Sequence, residues 1–258
     1  MNPIEITSRE KIDVDPVPDK LQEVNDWLEL PEDKDINKEP LVPLGINSEY
    51  PIYTINGKPL FVRQESAKNL STIEKELPFS LHLIVVEAYR TSNRLDSHST
   101  GGSIDIALFR LPIPVEQRIH RLDNNEQKNP IQSQIEKHTL ISLYARPLNF
   151  GKIPQLDHFE REAKKRELTQ EELEAQSNRR LLYDLMCRKG GFQPDRDKWW
   201  HYNFTQNIPP TRSRSRYGNT ELSANNQDFE DTNRKLSGKI HKNAHLEKFR
   251  EFIEEIEI

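Results

Sequence analysis

The sequence HSTGGSIDIALF, His98 to Phe109, joins a histidine to an apolar strand through a glycine turn. From Ile104 to Phe109 the apolar residues recur with the two-residue period of a β-strand. Asp105 lies within that strand, where an ionised carboxylate is costly unless it is paired with a cation or binds a metal. The segment therefore predicts a β-strand that carries an ion-paired or metal-binding carboxylate.

Two further segments predict neighbouring strands of a sheet. Leu81–Tyr89 is almost continuously apolar, which is typical of a buried strand, and it ends at Arg90. Trp199–Phe204 predicts a final strand on which His201 shares a face with Asn203, because side chains alternate along a strand.

Local signals on both sides predict a hairpin and two helices. Ile52–Ile55 and Leu60–Arg63 flank Asn56-Gly57, a dipeptide that accepts the positive φ of a type I′ turn. Glu65–Leu77 has helical spacing, with Ala67, Leu70, Ile73 and Leu77 facing inward. Thr169–Glu172 forms a capping box that begins a second helix. We predict an α+β fold with a mainly antiparallel sheet and packed helices.

The flanks of this domain are more polar. Residues 1–45 predict an extended arm with one short helix at Leu21–Leu28, and residues 46–206 predict the domain itself. Residues 110–150, with prolines and a loop-like polar run, predict an insertion in that domain. Residues 207–258 predict a polar linker and then an amphipathic helix, whose apolar stripe could dock on the domain or on a protein partner.

Composition excludes several classes of protein. Hydrophobic residues make up 34% and charged residues 31% of the 258 residues, and the net charge is −5. General nucleic-acid binding would require a basic excess, so we expect no nucleic-acid partner. The single cysteine, Cys187, permits no intrachain disulfide. The polar start of the chain and the lack of a long apolar run predict a cytoplasmic protein without a membrane partner.

Two histidines and a carboxylate are enough to hold a catalytic Zn²⁺ with one coordination position left for water. His98 and Asp105 are seven residues apart across the glycine turn, and His201 follows on the last predicted strand. Each residue has an ordinary alternative: a loop histidine, an aspartate paired with Arg90 or Arg94, and a core histidine. The ordered set of His98, Asp105 and His201 predicts one Zn²⁺ per chain.

Five motifs occur in order between about residue 50 and residue 206. They are Ala88-Tyr89-Arg90, His98–Asp105, Asn178–Met186, Gly191-Phe192 and Trp199-Trp200-His201. Together they resemble the D-alanyl-D-alanine dipeptidases, the VanX group of zinc peptidases, which are related to D,D-carboxypeptidases and to the hedgehog signalling domain. The resemblance implies the fold of that superfamily, and His98, Asp105 and His201 match its zinc ligands.

The resemblance also implies roles for residues around the metal. Arg90 ends the strand that in the family delivers an arginine to the substrate carbonyl, where it stabilises the oxyanion. Ser97 is a candidate for the family's serine near the substrate carboxylate, although it is one position out of register. Asp157 is a weaker match to an aspartate that meets the amino group of the substrate.

Three departures from the family pattern stand out. Asp96 replaces the serine two residues before the first histidine, and the segment between Asp105 and Asp157 is longer. The family's general base, a glutamate three residues before the last histidine, is replaced by Lys198. An ammonium group cannot accept a proton, and a general base contributes roughly 10²–10⁴-fold to the rate.

A missing base leaves two hypotheses for catalysis. Asp197 could substitute only if the backbone before Trp199 is irregular, because on a regular strand it faces away from His201. If no group substitutes, the natural protein is a weak or inactive dipeptidase, and Lys198→Glu is expected to raise D-Ala-D-Ala hydrolysis.

The sequence predicts zinc-dependent hydrolysis of D-Ala-D-Ala or a similar small dipeptide. One alternative is a zinc-binding pseudo-peptidase that acts as a partner-binding module, which Lys198 favours. Another is a related metallopeptidase that acts on a peptidoglycan stem peptide, with residues 110–150 reshaping the pocket.

Overall fold

The computed structural model of the protein describes residues 14–18, 39–45, 48–55, 59–78, 80–90, 97–125 and 130–204. Within them the strands are β1 (Leu41–Leu44), β2 (Tyr53–Thr54), β3 (Leu60–Arg63), β4 (Leu81–Glu87), β5 (Ser103–Arg110), β6 (Arg146–Pro147), β7 (Phe192–Pro194) and β8 (His201–Phe204). The α-helices are α1 (Gln64–Glu76), α2 (Ile113–Asn125), α3 (Pro130–Tyr144), α4 (His158–Ala163) and α5 (Gln170–Tyr183).

The main sheet is built around β5. Its strands lie in the order β2-β4-β5-β8-β7, and the short β6 pairs with the far end of β5. The pairs β4–β5, β5–β8, β7–β8 and β5–β6 are antiparallel, whereas β2 and β4 are parallel. The predicted α+β class with a mainly antiparallel sheet is therefore confirmed.

Two helices follow their sequence signals. In α1 the predicted inward residues Ala67, Leu70 and Ile73 are buried. At the start of α5 the Thr169 hydroxyl accepts the Glu172 backbone N–H, and the Glu172 carboxylate accepts the Thr169 N–H at 2.8 Å. The capping box thus forms as predicted, because both of its hydrogen bonds are local.

The predicted hairpin of residues 52–63 is wrong. β2 pairs with β4 in the main sheet, while β3 pairs with β1 in a separate two-stranded sheet. A turn signal favours pairing of its two flanks, but each flank here pairs with another strand, and Ile52 and Ile55 are buried in the main core.

The folded domain begins before residue 45, the predicted end of the N-terminal arm. β1 pairs in register with β3, so it belongs to the folded domain. Val17, farther towards the N-terminus, is buried in the main core. The short helix predicted at Leu21–Leu28 lies outside the described residues, as do residues 205–258 with the predicted linker and C-terminal helix.

The predicted insertion contains a helical pair, not an irregular loop. Pro112 lies between the end of β5 and the start of α2, and Pro114 occupies the first turn of α2, where a proline costs no hydrogen bond. Ile119 of α2 and Leu140 and Ile141 of α3 join the main core. The described parts of residues 110–150 are thus packed onto the domain.

The last predicted strand begins two residues later than expected. Trp199 and Trp200 lie in a turn closed by a hydrogen bond from the His201 N–H to the Lys198 carbonyl, at 3.1 Å. Both indoles are buried, and burying them accounts for the turn. Among the described residues, no helix combines the length and the apolar character needed to cross a bilayer.

Candidate metal centre

A row of three side chains crosses the middle of the sheet. Asp105 on β5 pairs with His201 on β8 at one side and with Glu87 on β4 at the other. Directly opposite residues of antiparallel strands point to the same face. A register shift after Val85 places Glu87, and not Val86, opposite Asp105. Sheet register therefore gathers two carboxylates and one imidazole on one face.

The three predicted ligands converge, and all three are buried. Their candidate ligand atoms lie within 4.8 Å of one another. Asp105 Oδ1 is 2.7 Å from His201 Nδ1 and 3.5 Å from His98 Nε2. Two imidazole nitrogens thus point at a single carboxylate oxygen from different sides.

A rigid loop delivers His98 to this point. His98 lies in a single helical turn, Ser97–Thr100, that leads into Gly101 with a φ of +72°. A Cβ at Gly101 would collide with the Leu41 side chain, so glycine is required there for both conformation and space. The buried Arg63 clamps the turn through bonds to the carbonyls of Thr100, at 2.8 Å, and Gly101, at 2.9 Å.

Each histidine has its second ring nitrogen fixed. His98 Nδ1 is 3.0 Å from the Ala88 carbonyl, which can only accept, so this nitrogen carries the proton. His201 Nε2 is 3.3 Å from the Ser97 hydroxyl. Metal-binding histidines usually donate their outer N–H to such a partner, which fixes the tautomer and the ring orientation.

The electrostatics of the cluster require a positive charge. With its proton on Nδ1, a neutral His98 turns a lone pair towards the Asp105 carboxylate, so a proton or a metal ion must lie between them. Burial lowers the pKa of His98, but the hydrogen bond and charge of Asp105 raise it above its ordinary value. Burial raises the pKa of Asp105, and the bonds to His201 and His98 more than reverse this, so it is held low.

The donor set fits a metal ion such as Zn²⁺. Two ligands that are ~2.0–2.2 Å from a tetrahedral zinc lie about 3.4 Å apart. The distance of 3.5 Å between His98 Nε2 and Asp105 Oδ1 agrees with this value. The shorter contact of 2.7 Å between His201 Nδ1 and Asp105 would have to open. Two imidazoles and one carboxylate are also ligands that zinc prefers.

Arg90 and Ser97, two predicted site residues, lie beside this cluster. Arg90 Nη1 donates to Glu87 Oε1 at 2.7 Å, and the Arg90 side chain is 49% exposed. Its guanidinium therefore stands at the solvent edge of the ligand row. The Ser97 hydroxyl faces His201, which makes it a support for a ligand in addition to its predicted place near substrate.

Asp157 is engaged by two cations. It is buried, with Oδ1 at 3.3 Å from Arg161 Nε and Oδ2 at 3.4 Å from Arg196 Nη2. The buried Arg179 fixes the segment before it by donating to the carbonyls of Phe150, at 2.7 Å, and Gln155, at 2.5 Å. Asp157 thus lies in a structured loop, and its carboxylate already forms ion pairs with two arginines.

Lys198 and Asp197 precede the turn into β8 and are not part of a regular strand. The irregular backbone removes the geometric objection to Asp197 as a base. However, Asp197 is exposed, and its backbone N–H donates to Asp195 Oδ1 at 2.8 Å in a local turn. Lys198 is half-buried. The structure brings together the three predicted ligands with Ser97 and Arg90, but it shows no carboxylate contact from Asp197 to them.

Sequence reasoning missed one acidic residue of this face. Glu87 lies opposite Asp105 in the sheet and bonds to Arg90. An acidic residue that ends a buried apolar strand, three residues before a candidate catalytic arginine, was the signal that could have found it.

No protein-family model and no curated protein matches this chain.

Proposed function

We propose that this protein is a metal-dependent peptidase that hydrolyses D-Ala-D-Ala or a similar small dipeptide, with one Zn²⁺ per chain. The observation that carries the proposal is the convergence of His98, Asp105 and His201, in which both outer histidine nitrogens are already bonded. The mainly antiparallel α+β sheet is compatible with the hedgehog and D-Ala-D-Ala peptidase fold implied by the resemblance.

The residues around the cluster supply the remaining parts of a hydrolytic site. When bound, the metal ion supplies a Lewis acid that polarises a carbonyl and lowers the pKa of water to about 7. Arg90 offers a guanidinium to the negative charge that develops on the carbonyl oxygen. Ser97 contacts the His201 ring at 3.3 Å, and by the family resemblance its hydroxyl would also meet the substrate carboxylate.

Metal content and turnover test the proposal together. We expect purified protein to retain about one equivalent of zinc after mild dialysis, and to release D-alanine from D-Ala-D-Ala. A chelator should abolish turnover, and added Zn²⁺ should restore it. Less than about a tenth of an equivalent of any transition metal, with no gain on zinc addition, would remove the basis of the proposal.

A second candidate function follows from one chain of contacts. Ser97 Oγ, His201 and Asp105 are linked at 3.3 and 2.7 Å, in the order of a nucleophile, a base and an orienting carboxylate. This serine-hydrolase arrangement leaves His98 without a role and leaves its lone pair facing Asp105. The metal explains all three residues, so we favour it. Turnover that survives a chelator but not Ser97→Ala would reverse this preference.

The remaining candidates differ in what the same site would bind. A pseudo-peptidase would hold zinc with full occupancy, turn over no dipeptide, and bind a protein partner, for example through residues 244–258. An enzyme for peptidoglycan stem peptides would prefer longer substrates over dipeptides. A panel of D-Ala-D-Ala, mixed dipeptides and a stem pentapeptide, assayed with zinc-loaded protein, separates these three outcomes.

A further inference from the structure

The row of side chains that holds the metal ligands extends to Glu87. Glu87 lies opposite Asp105, which lies opposite His201, so three adjacent strands contribute to one line. The bulge after Val85 is the device that aligns it, because a regular ladder would place Val86 at this point. Bulges often re-aim a side chain next to an active site. The Cβ atoms of opposite residues are about 4.5–5.5 Å apart, so Glu87 and Asp105 are close neighbours on this face.

Glu87 also stands at the boundary between the buried ligands and solvent. Its side chain is 31% exposed, and its Oε1 accepts a hydrogen bond from Arg90 at 2.7 Å. A carboxylate and a guanidinium thus lie side by side at the mouth of the site.

We propose that Glu87 is the proton acceptor of this site, in place of the carboxylate that is missing at position 198. The inference rests on the proposed peptidase function. Hydrolysis requires a proton acceptor for the attacking water and a donor for the carbonyl oxygen. Both groups must lie within about 3 Å of the reacting atoms. The bonded pair of Glu87 and Arg90 provides both groups at one place.

Hydrolysis with this pair of residues would take place in two stages. The oxygen of the attacking water forms a bond to the carbonyl carbon while Glu87 takes one of its protons, and Arg90 faces the carbonyl oxygen. The C–N bond then breaks, and Glu87 gives its proton to the leaving nitrogen, which restores the carboxylate. The second proton of the water stays on the new carboxyl group until that group ionises.

Kinetics of full-length, zinc-loaded protein test this role. Glu87→Gln should lower kcat for D-Ala-D-Ala by roughly 10²–10⁴-fold, the usual contribution of a general base, while zinc content stays at the wild-type level. Glu167→Gln, in an exposed loop before α5, is the charge-matched control and should retain wild-type kcat. Wild-type kcat in Glu87→Gln would overturn this inference alone. Zinc loss in Glu87→Gln would also overturn it, by making Glu87 structural.

If the wild-type protein hydrolyses no dipeptide, that result would instead contradict the proposed function and, with it, the role of Glu87. Lys198→Glu tests the rival base position. If Glu87 is the acceptor, that variant changes kcat by less than about tenfold, whereas a gain of roughly 10²–10⁴-fold would show that the base position was vacant.

A binding measurement tests Glu87 without turnover. A phosphinate isostere of the dipeptide places a negative oxygen where the attacking water would stand, so a carboxylate beside it must take up a proton. Calorimetric titration in two buffers of different ionisation enthalpy should show uptake of about one proton by the wild type and none by Glu87→Gln. Equal uptake by both proteins would overturn the assignment. Arg90→Ala should retain the uptake, which separates the acceptor from its partner.

Discussion

Two histidine–carboxylate clusters lie at the main sheet, one around Asp105 of β5 and the other around His82 of β4, and their carboxylates are balanced by positive charge in different ways. The first is the candidate metal cluster of His98, Asp105 and His201, in which the two histidines converge on one oxygen of Asp105. In the second cluster, His82 lies between two carboxylates, with Nδ1 at 2.8 Å from Glu74 and Nε2 at 2.9 Å from Glu116.

The geometry of the ligand atoms decides which cation each cluster needs. Opposite edges of the His82 ring face different carboxylates, so each contact is satisfied by a proton on the nearer nitrogen. Burial lowers the pKa of His82, but the bonds to Glu116 and Glu74 raise it from 6.5 to about 9. The ligand atoms of the other cluster lie within 4.8 Å of one another, so they can surround one metal ion. The two contacts of His82 point in opposite directions, which suits an imidazolium and not a shared metal ion.

The largest effect is expected from a substitution that removes one of the candidate metal ligands. His201→Ala removes a ligand and should lower zinc content from about one equivalent to less than about a tenth after dialysis, because two ligands hold zinc poorly. His82→Gln should keep full zinc content. Elemental analysis of both variants makes the comparison directly. Equal zinc loss in the two would mean that the clusters are not functionally distinct.

The second prediction concerns the proton in the other cluster. The rise in the pKa of His82 from 6.5 to about 9 corresponds to about 3 kcal/mol of stability, at about 1.4 kcal/mol per pKa unit. Because the folded pKa is the higher one, this contribution is complete below pH 6.5 and is lost as the pH rises through 9. The free energy of unfolding is measured by urea titration of the wild type and of His82→Gln, both freed of metal with a chelator, at pH 6 and at pH 10.

The expected outcome of that comparison is a stability gap that is large at pH 6 and nearly closed at pH 10. A gap that does not depend on pH would mean that His82 is neutral and contributes by packing alone.

The third prediction concerns the outer hydrogen bond of a ligand. Ser97→Ala should weaken zinc binding by about 10–100-fold, the usual effect of losing a partner of a metal-bound histidine. Competition with a zinc chelator measures the affinity, and Ser177→Ala, exposed on α5, is the matched control. Unchanged affinity combined with complete loss of turnover would favour the serine-nucleophile alternative.

The smallest effect is expected at the rim of the second cluster. His120 Nε2 is 3.7 Å from Glu116 Oε1, but its side chain is 61% exposed. Exposed pairs contribute little, so His120→Ala should change the free energy of unfolding by less than about 0.5 kcal/mol at any pH. A pH-dependent loss as large as that of His82→Gln would show that burial does not separate these two histidines.

Much of the fold and of the site could be predicted from local patterns. The spacing of Ala67, Leu70 and Ile73 predicted α1, and the Thr169–Glu172 capping box predicted the start of α5. Sequence order also identified all three members of the metal cluster. The two helix predictions succeeded because each depends on residue type and on spacing within a few residues, whereas the convergent trio was predicted from the order of its motifs and also matched a family resemblance.

Predictions that depended on distant partners did less well. Asn56-Gly57 gave a strong hairpin signal, yet β2 and β3 pair with other strands. The apolar run at Trp199 and Trp200 resembled a strand, but burial of both indoles produces a turn before β8. A local signal cannot weigh the surface that a segment buries against a strand far away in the chain.

The sequence by itself determined which side chains are available for chemistry: His98, Asp105 and His201 as candidate metal ligands, and Lys198 where the family resemblance implied a carboxylate. Only the tertiary structure decided which carboxylate faces them. The bulge after Val85 turns Glu87 onto the face of Asp105, and no pattern within the strand encodes that shift. Side-chain direction alternates with every residue, so a single extra residue in the register changes which group reaches the site.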